Sequence, residues 1–526
     1  SVTASCPTMC PMRILNARAG FAANSSSSHS LLLFRSSHGE TVDATSFLPD
    51  SGEELERGDF GWGYFIASSP EAKALYLAVQ VDSALSYSVG PTVAARFLAT
   101  LGLEPPPKGA YVDHQSRIEL PSNWTRTAPN FEFLSHFVEY VRRPDVVIVG
   151  GNDNSDDFHV DEADGFLPAL DRVSFVMSNT VARYDREVNV WTLFSRMFGS
   201  KLRITFDPYN DPARGSLPEL VDIKITDYCD FGCTFCYQGS TKRGKHASWE
   251  YLEKLAYALA EAQVFEVAIG GGEATQHPDF ERFVALLAEL GVVPNLTTRN
   301  IAYLASEPAS LEHLGAVAVS VSSVDDLDAF LAIDDSVFRS TKTARHVHVI
   351  DGLVDAREFE AICRKAWDRQ VRVTLLGYKT AGRGKRHADS LVPSGWLDLI
   401  TSKDADRWLF SVDTALVRQY MAEIESLDVE PISYHSTEGA WSCYVDAPAG
   451  QIAPSSYGPA SNRLDLSDPA DLVERFRQLE VEDVEFVRPC GDIHSENATC
   501  WSCDSGFDSL PSGLSVPRPV TIRSSR

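Results

Sequence analysis

The sequence predicts an α/β fold in which a parallel sheet is covered by helices. Strand-like and helix-like runs alternate from Val221 to Leu376, which is typical of parallel strands joined by helical crossovers. The hydrophobic content of 44% is ordinary for a globular chain. A length of 526 residues provides material for about two to four domains.

The first repeated unit combines a strand, a loop and a capped helix. The run from Val221 to Thr226 has the apolar alternation of a strand. Ser248 is a typical N-cap residue, and apolar residues recur at helical spacing from Trp249 to Ala262. The next strand is predicted from Phe265 to Ile269, and a glycine-rich turn follows it.

Four further strands complete the predicted sheet. The second helix begins after His277-Pro278-Asp279 and ends at Gly291, and the clearest later helix is predicted from Glu358 to Gln370. Six strand–helix units are too few for a closed barrel of eight, so an open barrel is expected. The later strands are predicted at 292–297, 316–321, 346–350 and 371–376.

The flanking regions are predicted with less detail. Before residue 216, a strand at Ser30–Phe34, a helix at Glu71–Ala84 and a helix–strand pair within Phe131–Asn154 indicate a mixed α/β region. Beyond Gly384 the strand–helix rhythm is expected to stop. A helix is predicted at 408–424, a β-hairpin around the turn at 447–450, and a loose tail from residue 511.

Three cysteines directly after the first strand, Cys229, Cys233 and Cys236, carry the strongest functional signal. Their C-x3-C-x2-C spacing allows three thiolates to hold three irons of a [4Fe–4S] cluster and leaves the fourth iron without a protein ligand. Such an iron can bind a small molecule and pass it an electron. Zinc is the alternative, because it also binds closely spaced cysteines. The nearest candidate for a fourth ligand is His246, well past the last cysteine.

A second motif, Gly270-Gly271-Gly272-Glu273, follows the second predicted strand. The two motifs together resemble the radical SAM family, whose members carry C-x3-C-x-aromatic-C after the first barrel strand and GGE after the second. Phe235 fills the aromatic position. The resemblance implies a partial (β/α)6 barrel at 216–386, between an N-terminal α/β domain of unknown role at 1–215 and a small C-terminal extension at 387–526. In barrels of this kind the chemistry lies at the carboxyl ends of the strands, where both motifs fall.

The resemblance also implies roles for individual residues. The open iron would bind the amino and carboxylate groups of S-adenosylmethionine (SAM). Gly271 and Gly272 would let the backbone approach its methionine part, and Glu273 would neutralise its ammonium group. The sequence has Ala274 where many relatives have proline. The other residues expected at the cofactor are Phe235, Ser320, Ser322, Asn300 and Gly377.

Several charged residues near the strand ends have two interpretations. Arg299 could face cofactor or substrate, and Lys379 is expected at the mouth of the barrel with Tyr378 and Arg383. His346 and His348 lie on one face of the fifth strand, where a packing role is the simpler interpretation. The basic runs 242–245 and 383–386 are interpreted as solvated loops, with contact to an anionic substrate as the alternative.

The predicted hairpin resembles the start of a SPASM or twitch region, the C-terminal extension in which many radical SAM enzymes hold auxiliary clusters. In that region a cysteine follows the turn glycine by five positions, whereas here Ser455 follows Gly450. A second [4Fe–4S] cluster or a zinc ion is nevertheless expected, with four unmetallated thiols as the alternative. The four candidate ligands are Cys443, Cys490, Cys500 and Cys503.

Charge and composition exclude several functions. The net charge of −26 (47 basic minus 73 acidic residues) argues against binding bulk nucleic acid. No apolar run approaches the length of a membrane span, and the N-terminus lacks the apolar core of a signal peptide. The clustered cysteines indicate metal chemistry in a reducing compartment, so a cytoplasmic location is expected.

These observations predict a radical SAM enzyme. Its cluster would reduce SAM to a 5′-deoxyadenosyl radical, which would abstract hydrogen from a substrate; the electron would come from an external donor such as flavodoxin or ferredoxin. A peptide or protein substrate is expected, because many relatives with SPASM-like tails modify ribosomal peptides. A small metabolite or nucleotide is the first alternative. A non-catalytic zinc- or Fe–S-binding protein is the second, and the sequence assigns no catalytic residue.

Overall fold

The computed structural model of this protein describes most of the chain from residue 65 to residue 481. In these parts the chain has an α/β fold centred on a sheet that is mostly parallel. Other strands and helices lie before that sheet in the sequence, and one of the smaller sheets packs at one end of it. The described residues are 13–18, 31–36, 50, 55, 58–60, 65–112, 129–144, 146–150, 170–175, 180–196, 199, 201–205, 210–403, 405, 409–427 and 437–481.

Within these residues, the strands that precede the cysteine motif form three small sheets. Their orders are β1-β10-β9-β8, β4-β6-β2-β7 and β3-β5. The first two sheets are antiparallel. The strands are β1 (Arg13–Arg18), β2 (Leu31–Ser36), β3 (Asp59–Phe60), β4 (Phe65–Ala67), β5 (Tyr111–Val112), β6 (Val146–Gly150), β7 (Leu170–Phe175), β8 (Thr180–Asp185), β9 (Val190–Ser195) and β10 (Lys201–Thr205).

Ten strands of the described chain form the largest sheet, in the order β17-β16-β15-β14-β13-β12-β11-β18-β19-β20. The strands from β11 to β17 run parallel, β18 joins β11 in parallel, and β19 and β20 are antiparallel. They are β11 (Leu220–Thr226), β12 (Glu266–Gly271), β13 (Val293–Thr298), β14 (Ala316–Ser320), β15 (Ala344–Ile350), β16 (Arg372–Leu376), β17 (Phe410–Val412), β18 (Ser442–Asp446), β19 (Gln451–Ala453) and β20 (Leu464–Asp465).

Helices connect the parallel strands, and capping side chains set where several of them begin. The Ser248 hydroxyl accepts a hydrogen bond from Tyr251 N, which confirms the predicted cap, and Asp413 caps a later helix in the same way. The helices are α1 (Pro70–Val89), α2 (Pro91–Thr100), α3 (Pro129–Val141), α4 (Trp249–Glu261), α5 (Phe280–Glu289), α6 (Ile301–Ser306), α7 (Val324–Leu331), α8 (Asp335–Thr341), α9 (Ala356–Asp368), α10 (Gly384–His387), α11 (Trp396–Thr401), α12 (Thr414–Gln419), α13 (Met421–Glu425) and α14 (Leu472–Gln478).

One face of the large sheet is apolar and covered by the helices. Val221 and Ile223 of β11 pair with Val267 and Ile269 of β12, and all four side chains are buried in a single core. The α4 residues that enter this core are those at the helical spacing seen in the sequence, for example Leu255. Burial of this face leaves the opposite face of the same strands for polar side chains.

A buried ion network attaches the β1-β10-β9-β8 sheet to the large sheet. Glu219, directly before β11, receives Lys201 Nζ at 2.7 Å, Arg203 Nε at 2.9 Å and the Thr192 hydroxyl at 2.6 Å. Arg183 donates to the Pro218 carbonyl at 2.7 Å. These contacts lie at the amino end of β11, so this sheet packs at the end of the strand opposite the cysteines.

Most of the predicted elements are confirmed, with shifts of one or two residues at most of their ends; α1 runs five residues beyond the predicted Ala84. The helix predicted at 408–424 is wrong in its first part, because β17 pairs in parallel with β16 before α12 begins. The parallel sheet therefore continues beyond residue 384, where the rhythm was expected to stop. The predicted hairpin is confirmed by the antiparallel pairing of β18 and β19. In the described ranges, no helix has the length and apolarity that crossing a membrane requires.

Candidate functional site

The three predicted ligand cysteines lie on a loop that begins directly after β11. The backbone of this loop is held against its own return segment, with Asp227 N donating to Lys245 O at 2.8 Å and Cys229 N to Thr241 O at 3.1 Å. All three thiols are free of disulfides and half-buried. The loop therefore places all three cysteines just beyond the carboxyl end of the strand, and their role as ligands stays a prediction.

Arg383 clamps this loop from the segment that follows β16. Its Nε donates to the Cys233 carbonyl and its Nη1 to the Ser240 carbonyl, each at 2.8 Å. The neighbouring Gly382 has a positive φ of 52°, and a β-carbon there would clash with the Tyr237 carbonyl. The segment after β16 is thus fitted closely to both halves of the cysteine loop.

Arg299 brings a positive charge to one of the cysteine sulphurs. Its Nη1 lies 3.3 Å from Cys233 Sγ, and its Nη2 donates to Ser322 Oγ, also at 3.3 Å. Asp326 lies 3.8 Å from the same guanidinium, which also stands 5.6 Å from the centre of the Phe235 ring. The side chain therefore connects the cysteine loop to the ends of β13 and β14.

The Gly-Gly-Glu turn is bonded to the same loop. Gly272 N donates to Thr226 O at 2.7 Å, and Glu273 N donates to Tyr228 O at 2.9 Å. A β-carbon on Gly271, whose φ is 126°, would lie 2.5 Å from Thr226 O, and one on Gly272 would clash with Tyr228 O. Any β-carbon at these two positions would therefore clash with the protein's own backbone. This reason for glycine differs from the predicted one, which was close approach of the backbone to a ligand. The contact of these glycines with SAM stays a prediction.

Glu273 is held by a network of hydroxyl and backbone donors. Its Oε1 accepts from Thr298 Oγ1 at 2.7 Å and Thr275 Oγ1 at 2.9 Å, and its Oε2 accepts from Arg299 N at 3.2 Å. Burial raises the pKa of this carboxyl, and the hydrogen bonds partly offset that rise. Asn300 donates to Thr275 Oγ1 at 2.9 Å and caps α6, so it acts through the network.

The remaining predicted cofactor residues lie near the same end of the sheet. The Ser322 hydroxyl donates to Asp326 at 2.9 Å, and Ser320 is half-buried at the end of β14. A β-carbon on Gly377 would lie 2.5 Å from Leu416 N, so this glycine allows α12 to pack closely. Nothing in these contacts requires a cofactor, and the assigned roles stay predictions.

The donor set fits an iron–sulphur cluster. Burial raises the pKa of the Cys229 thiol, while the backbone N–H groups of Phe231 and Gly232 favour its thiolate. A coordinating metal deprotonates such a thiol outright. Among the described residues, no three His, Cys, Asp or Glu side chains are grouped to bind a single metal ion. A [4Fe–4S] cluster does not need three ligands around one ion, because each cysteine binds a separate iron.

The face of the sheet opposite the helices is polar. Register places Asp222 of β11 level with Ala268 of β12 and Tyr444 of β18, and the series continues across to β17. Along the sheet this face carries Asn295, Thr297, Ser320, His346, His348, Thr374 and Ser411. These side chains are partly exposed, whereas their neighbours on the other face are almost all buried. The polar face therefore lines an accessible interior.

The sheet curls around that interior. Asp222 on β11 interacts electrostatically with Lys379 after β16 and with Asp413 after β17. Strands lie about 4.8 Å apart, so a flat sheet would separate β11 from β16 by roughly 24 Å. The polar face is consequently concave, and side chains from its two sides meet across it.

Lys379 is the centre of a charged group inside this concave face. Its Nζ lies 3.5 Å from Asp413 Oδ2. The same atom lies 5.1 Å from the centre of the Tyr237 ring and 4.9 Å from that of the Tyr457 ring. Burial alone would lower the pKa of Lys379, but the surrounding anionic groups hold it above its ordinary value. The Tyr457 hydroxyl donates to Glu438 at 2.7 Å. The lysine therefore stays charged at neutral pH.

Two carboxyl groups near this lysine, those of Asp222 and Glu438, titrate near neutrality. Desolvation raises the pKa of Asp222 to about 6, with Lys379 opposing the rise and Asp413 adding to it. Desolvation likewise raises the pKa of Glu438 to about 7. Burial and the neighbouring lysine lower the pKa of His348 to about 4, so the imidazole is neutral. Three carboxyl groups, those of Asp222, Asp413 and Glu438, therefore lie around Lys379.

The C-terminal hairpin closes the side of the site next to β11. Lys224 lies 2.6 Å from Asp446 of β18, and Gln238 of the cysteine loop donates to the Tyr444 hydroxyl at 3.3 Å. The Tyr237 hydroxyl is also 3.1 Å from that of Ser456. The region beyond β18 is thus in direct contact with the cysteine loop.

The described residues give little support to the predicted auxiliary metal site. Cys443 lies on β18 level with Val221, on the apolar face, and is 2% exposed within the main core. Burial raises the pKa of its thiol, which disfavours the thiolate that a metal needs. Its surroundings are therefore those of a core residue. Cys490, Cys500 and Cys503 lie outside the described residues.

The interior carboxyl groups were not identified as site residues from the sequence. A signal was present for Asp222, because Asp222 and Lys224 alternate with apolar residues in β11 and so share its polar face. Glu438 and Asp413 had no comparable signal, because their approach to Lys379 depends on the curl of the sheet.

Comparison with known proteins supports the radical SAM resemblance for the central part of the chain. Residues 223–378 match the sequence model of the family described as "Radical SAM superfamily". This range contains the cysteine loop, the Gly-Gly-Glu turn and the strands from β12 to β16. Within this range the chain therefore carries a radical SAM domain, which supports an enzyme and implies an iron–sulphur cluster and SAM binding. The family does not specify the reaction.

Individual relatives share only part of this protein. A GTP 3′,8-cyclase of Edwardsiella ictaluri is 30% identical over 113 residues, which cover 20% of this chain and 34% of the relative. The sporulation killing factor maturation protein SkfB of Bacillus subtilis is 29% identical over 113 residues, covering 21% of this chain and 27% of that protein. The chain thus spans about a third or less of these two curated relatives.

Among solved structures, the Streptococcus suis protein SuiB bound to its precursor peptide SuiA aligns with a TM-score of 0.40 and 14% identity. The alignment covers 79% of this chain and 85% of SuiB.

Proposed function

We propose that this protein uses a [4Fe–4S] cluster and SAM to modify a peptide or protein substrate. The single observation that carries the proposal is the junction of the two motifs. The loop that carries three half-buried thiols is joined to the Gly-Gly-Glu turn by two backbone hydrogen bonds, Gly272 N to Thr226 O and Glu273 N to Tyr228 O. The junction lies at the carboxyl end of β11, inside the range of the family match. Bound there, the cluster would reduce SAM to methionine and a 5′-deoxyadenosyl radical that abstracts hydrogen from the substrate.

In this proposal the cysteine loop holds the cluster, and two arginines hold the loop. Cys229, Cys233 and Cys236 would each bind one iron. Arg383 fixes the loop backbone through two carbonyls, and Arg299 donates toward Cys233 Sγ. Hydrogen bonds to the sulphurs and nearby charge set the potential of such clusters. Arg299 would therefore favour the reduced state.

Glu273 would orient the ammonium group of SAM. Its Oε1 accepts from two threonine hydroxyls, whereas its Oε2 accepts from one backbone N–H among the described residues. Oε2 thus retains capacity for a further donor. Phe235, Ser320, Ser322, Asn300 and Gly377 complete the proposed cofactor environment, with Asn300 acting by holding Thr275.

We propose that β11–β16 form the partial (β/α)6 barrel predicted from the sequence and that β17 extends it. The curl of the sheet supports this arrangement, because residues of β11 meet those that follow β16 and β17. The layout at 1–215, 216–386 and 387–526 stays a proposal. In it, the third part contributes β17 to β20 to the central sheet.

The charges of the interior favour a peptide over a nucleotide. Asp222, Asp413 and Glu438 surround Lys379, and His348 is neutral. Lys224, on the same face of β11, is already paired with Asp227 and Asp446. A triphosphate would be repelled by this arrangement, whereas an amine or guanidinium of a peptide would be attracted. A small metabolite with a cationic group is the second candidate, and the same interior supports it.

Anaerobic reconstitution with iron and sulphide, followed by measurement of 5′-deoxyadenosine under dithionite, tests the proposal. Replacing Cys229, Cys233 or Cys236 by alanine should abolish both the cluster absorption and the product. Cys363→Ala is the matched control, because Cys363 is buried in the core behind the sheet and should leave both unchanged. A Cys229→Ala variant that forms product at the wild-type rate would refute the assignment. Zinc-loaded, colourless wild-type protein that forms no product would favour a non-catalytic metal-binding protein.

A further inference from the structure

Two segments that flank the cysteine loop are strongly basic in an otherwise acidic chain. They cover residues 241–246 and 382–387. Six of these twelve residues are Lys or Arg and none is Asp or Glu, although the whole chain has a net charge of −26. A concentration of one sign against a field of the opposite sign is a feature of docking surfaces.

Both segments are bonded directly to the loop that carries the thiols. The first segment pairs with the beginning of the loop, through Thr241 O and Lys245 O. The second reaches the loop through Arg383, whose Nη1 bonds Ser240 O, one residue before the first segment begins. The two basic segments therefore adjoin each other beside the cysteines, although about 140 residues separate them in the sequence.

Five of the basic side chains point into solvent and have no structural role among the described residues. Each is exposed, and none makes an ion pair or side-chain hydrogen bond with another residue in the described ranges. We call these residues the basic collar: Lys242, Arg243, Lys245, Lys385 and Arg386. Arg383 is half-buried and clamps the loop, so it is not included.

The position of the collar distinguishes an electron donor from a substrate. The tip of the cysteine loop between Cys229 and Cys236 is also exposed, including Phe231 at 45%. Electron tunnelling slows steeply with distance, so a donor must reach this outer surface of the loop. A substrate must instead enter the concave interior, whose charges around Lys379 are predominantly negative. A partner attracted by the collar would be repelled by that interior.

We infer that the basic collar is the docking surface for an acidic one-electron carrier protein that reduces the cluster. The inference rests on the proposed function, which requires one electron for each SAM cleaved. Opposite charges on carrier and collar would accelerate encounter and orient the redox centre toward the exposed loop. The attraction would weaken with salt, because the collar side chains are exposed.

Charge reversal tests the inference with a reduced acidic flavodoxin as the probe. One variant carries Lys242→Glu, Arg243→Glu and Lys245→Glu, and a second carries Lys385→Glu and Arg386→Glu. The control reverses Lys254 and Arg364, which are exposed on α4 and α9 and lie outside both basic segments. The Kd of oxidised flavodoxin is measured at low and high salt, and 5′-deoxyadenosine formation is measured with flavodoxin and separately with dithionite.

We expect the collar variants to raise the Kd at low salt by about tenfold or more and to lower flavodoxin-driven turnover similarly. Their dithionite-driven turnover and iron content should match the wild type, and the control should match it in every assay. Equal losses with both reductants would overturn the inference, because the segments would then serve the cluster or an anionic substrate. Unchanged Kd and turnover would overturn it as well. Wild-type protein inactive with dithionite would refute the proposed function instead, and the Kd comparison would still decide the docking surface.

Discussion

Replacing Arg383 by methionine should loosen the cysteine loop before any metal is bound. Methionine retains much of the apolar volume of the arginine stem and removes the donors. In the wild type these donors reach the Cys233 and Ser240 carbonyls, each at 2.8 Å. The two carbonyls lie on opposite halves of the loop, so both halves lose the same anchor.

The size of the effect follows from those two bonds. A hydrogen bond from a charged group contributes about 1.5–3 kcal/mol. Arg383 is half-buried and water can partly replace it, so the lower value applies, and two bonds give about 3 kcal/mol. Since 1.4 kcal/mol corresponds to a factor of ten, the population of the opened loop should rise roughly a hundredfold.

Hydrogen exchange of the metal-free protein measures this opening directly. Peptides that cover 227–241 should exchange roughly a hundred times faster in the Arg383→Met variant, while peptides from α4 and β13 should be unchanged. Arg364→Met is the matched control, because Arg364 is an exposed arginine on α9 whose partner is Glu360. After reconstitution, the Arg383 variant should also lose iron to a chelator faster than the control.

Equal exchange in the two variants would refute this reasoning. The loop would then be held by its own backbone bonds alone, such as that from Cys229 N to Thr241 O. Faster exchange throughout the protein would also contradict it, because Arg383 would then support the whole fold.

Three further predictions follow from other parts of the molecule. Glu219→Gln should destabilise the protein by about 3–5 kcal/mol, measured by denaturant unfolding, because the buried cations of the ion network lose their carboxylate. Affinity for a cationic peptide, measured by calorimetry, should fall as the pH drops from 8 to 5, because Glu438 and Asp222 protonate as the pH passes about 7 and then about 6. Reconstituted protein should contain about eight irons if the auxiliary cluster forms, and about four after Cys500 and Cys503 are both replaced by alanine, with SAM cleavage largely intact.

Each of these predictions has a contradicting result. Glu250→Gln removes an exposed carboxylate and should change stability little, so a loss as large as that of Glu219→Gln would contradict the ion-network argument. Peptide affinity that is constant between pH 5 and 8 would exclude the interior carboxylates as its binding site. About four irons in the wild type would exclude a second cluster.

Much of the central sheet could be predicted because its signals are local. The alternation in β11 and the cap at Ser248 depend on residues close in sequence, and both are confirmed. The strand β17 was missed because its three residues are too few to show alternation and precede a strongly helical run. Its place in the sheet is fixed by pairing with β16, which no local pattern records.

The site divides in the same way. The cysteine loop and the Gly-Gly-Glu turn were found because each motif is continuous in sequence. The clamp by Arg383, about 150 residues beyond Cys233, and the group around Lys379 arise only when the sheet curls. The reason for glycine at 271 and 272 could not be predicted either, because it depends on where the Thr226 and Tyr228 carbonyls lie.

The pairing of β18 with β11 has a consequence for biosynthesis. The strand that leads into the cysteine loop acquires its second neighbour from a segment translated about 220 residues later. Until that segment leaves the ribosome, β11 remains an open edge with unpaired amide and carbonyl groups, and such contacts are slow to form. During this interval Lys224 also lacks its ion pair with Asp446. We therefore expect the cofactor site to be completed only after β18 has been translated, so that iron delivery follows the release of that strand from the ribosome.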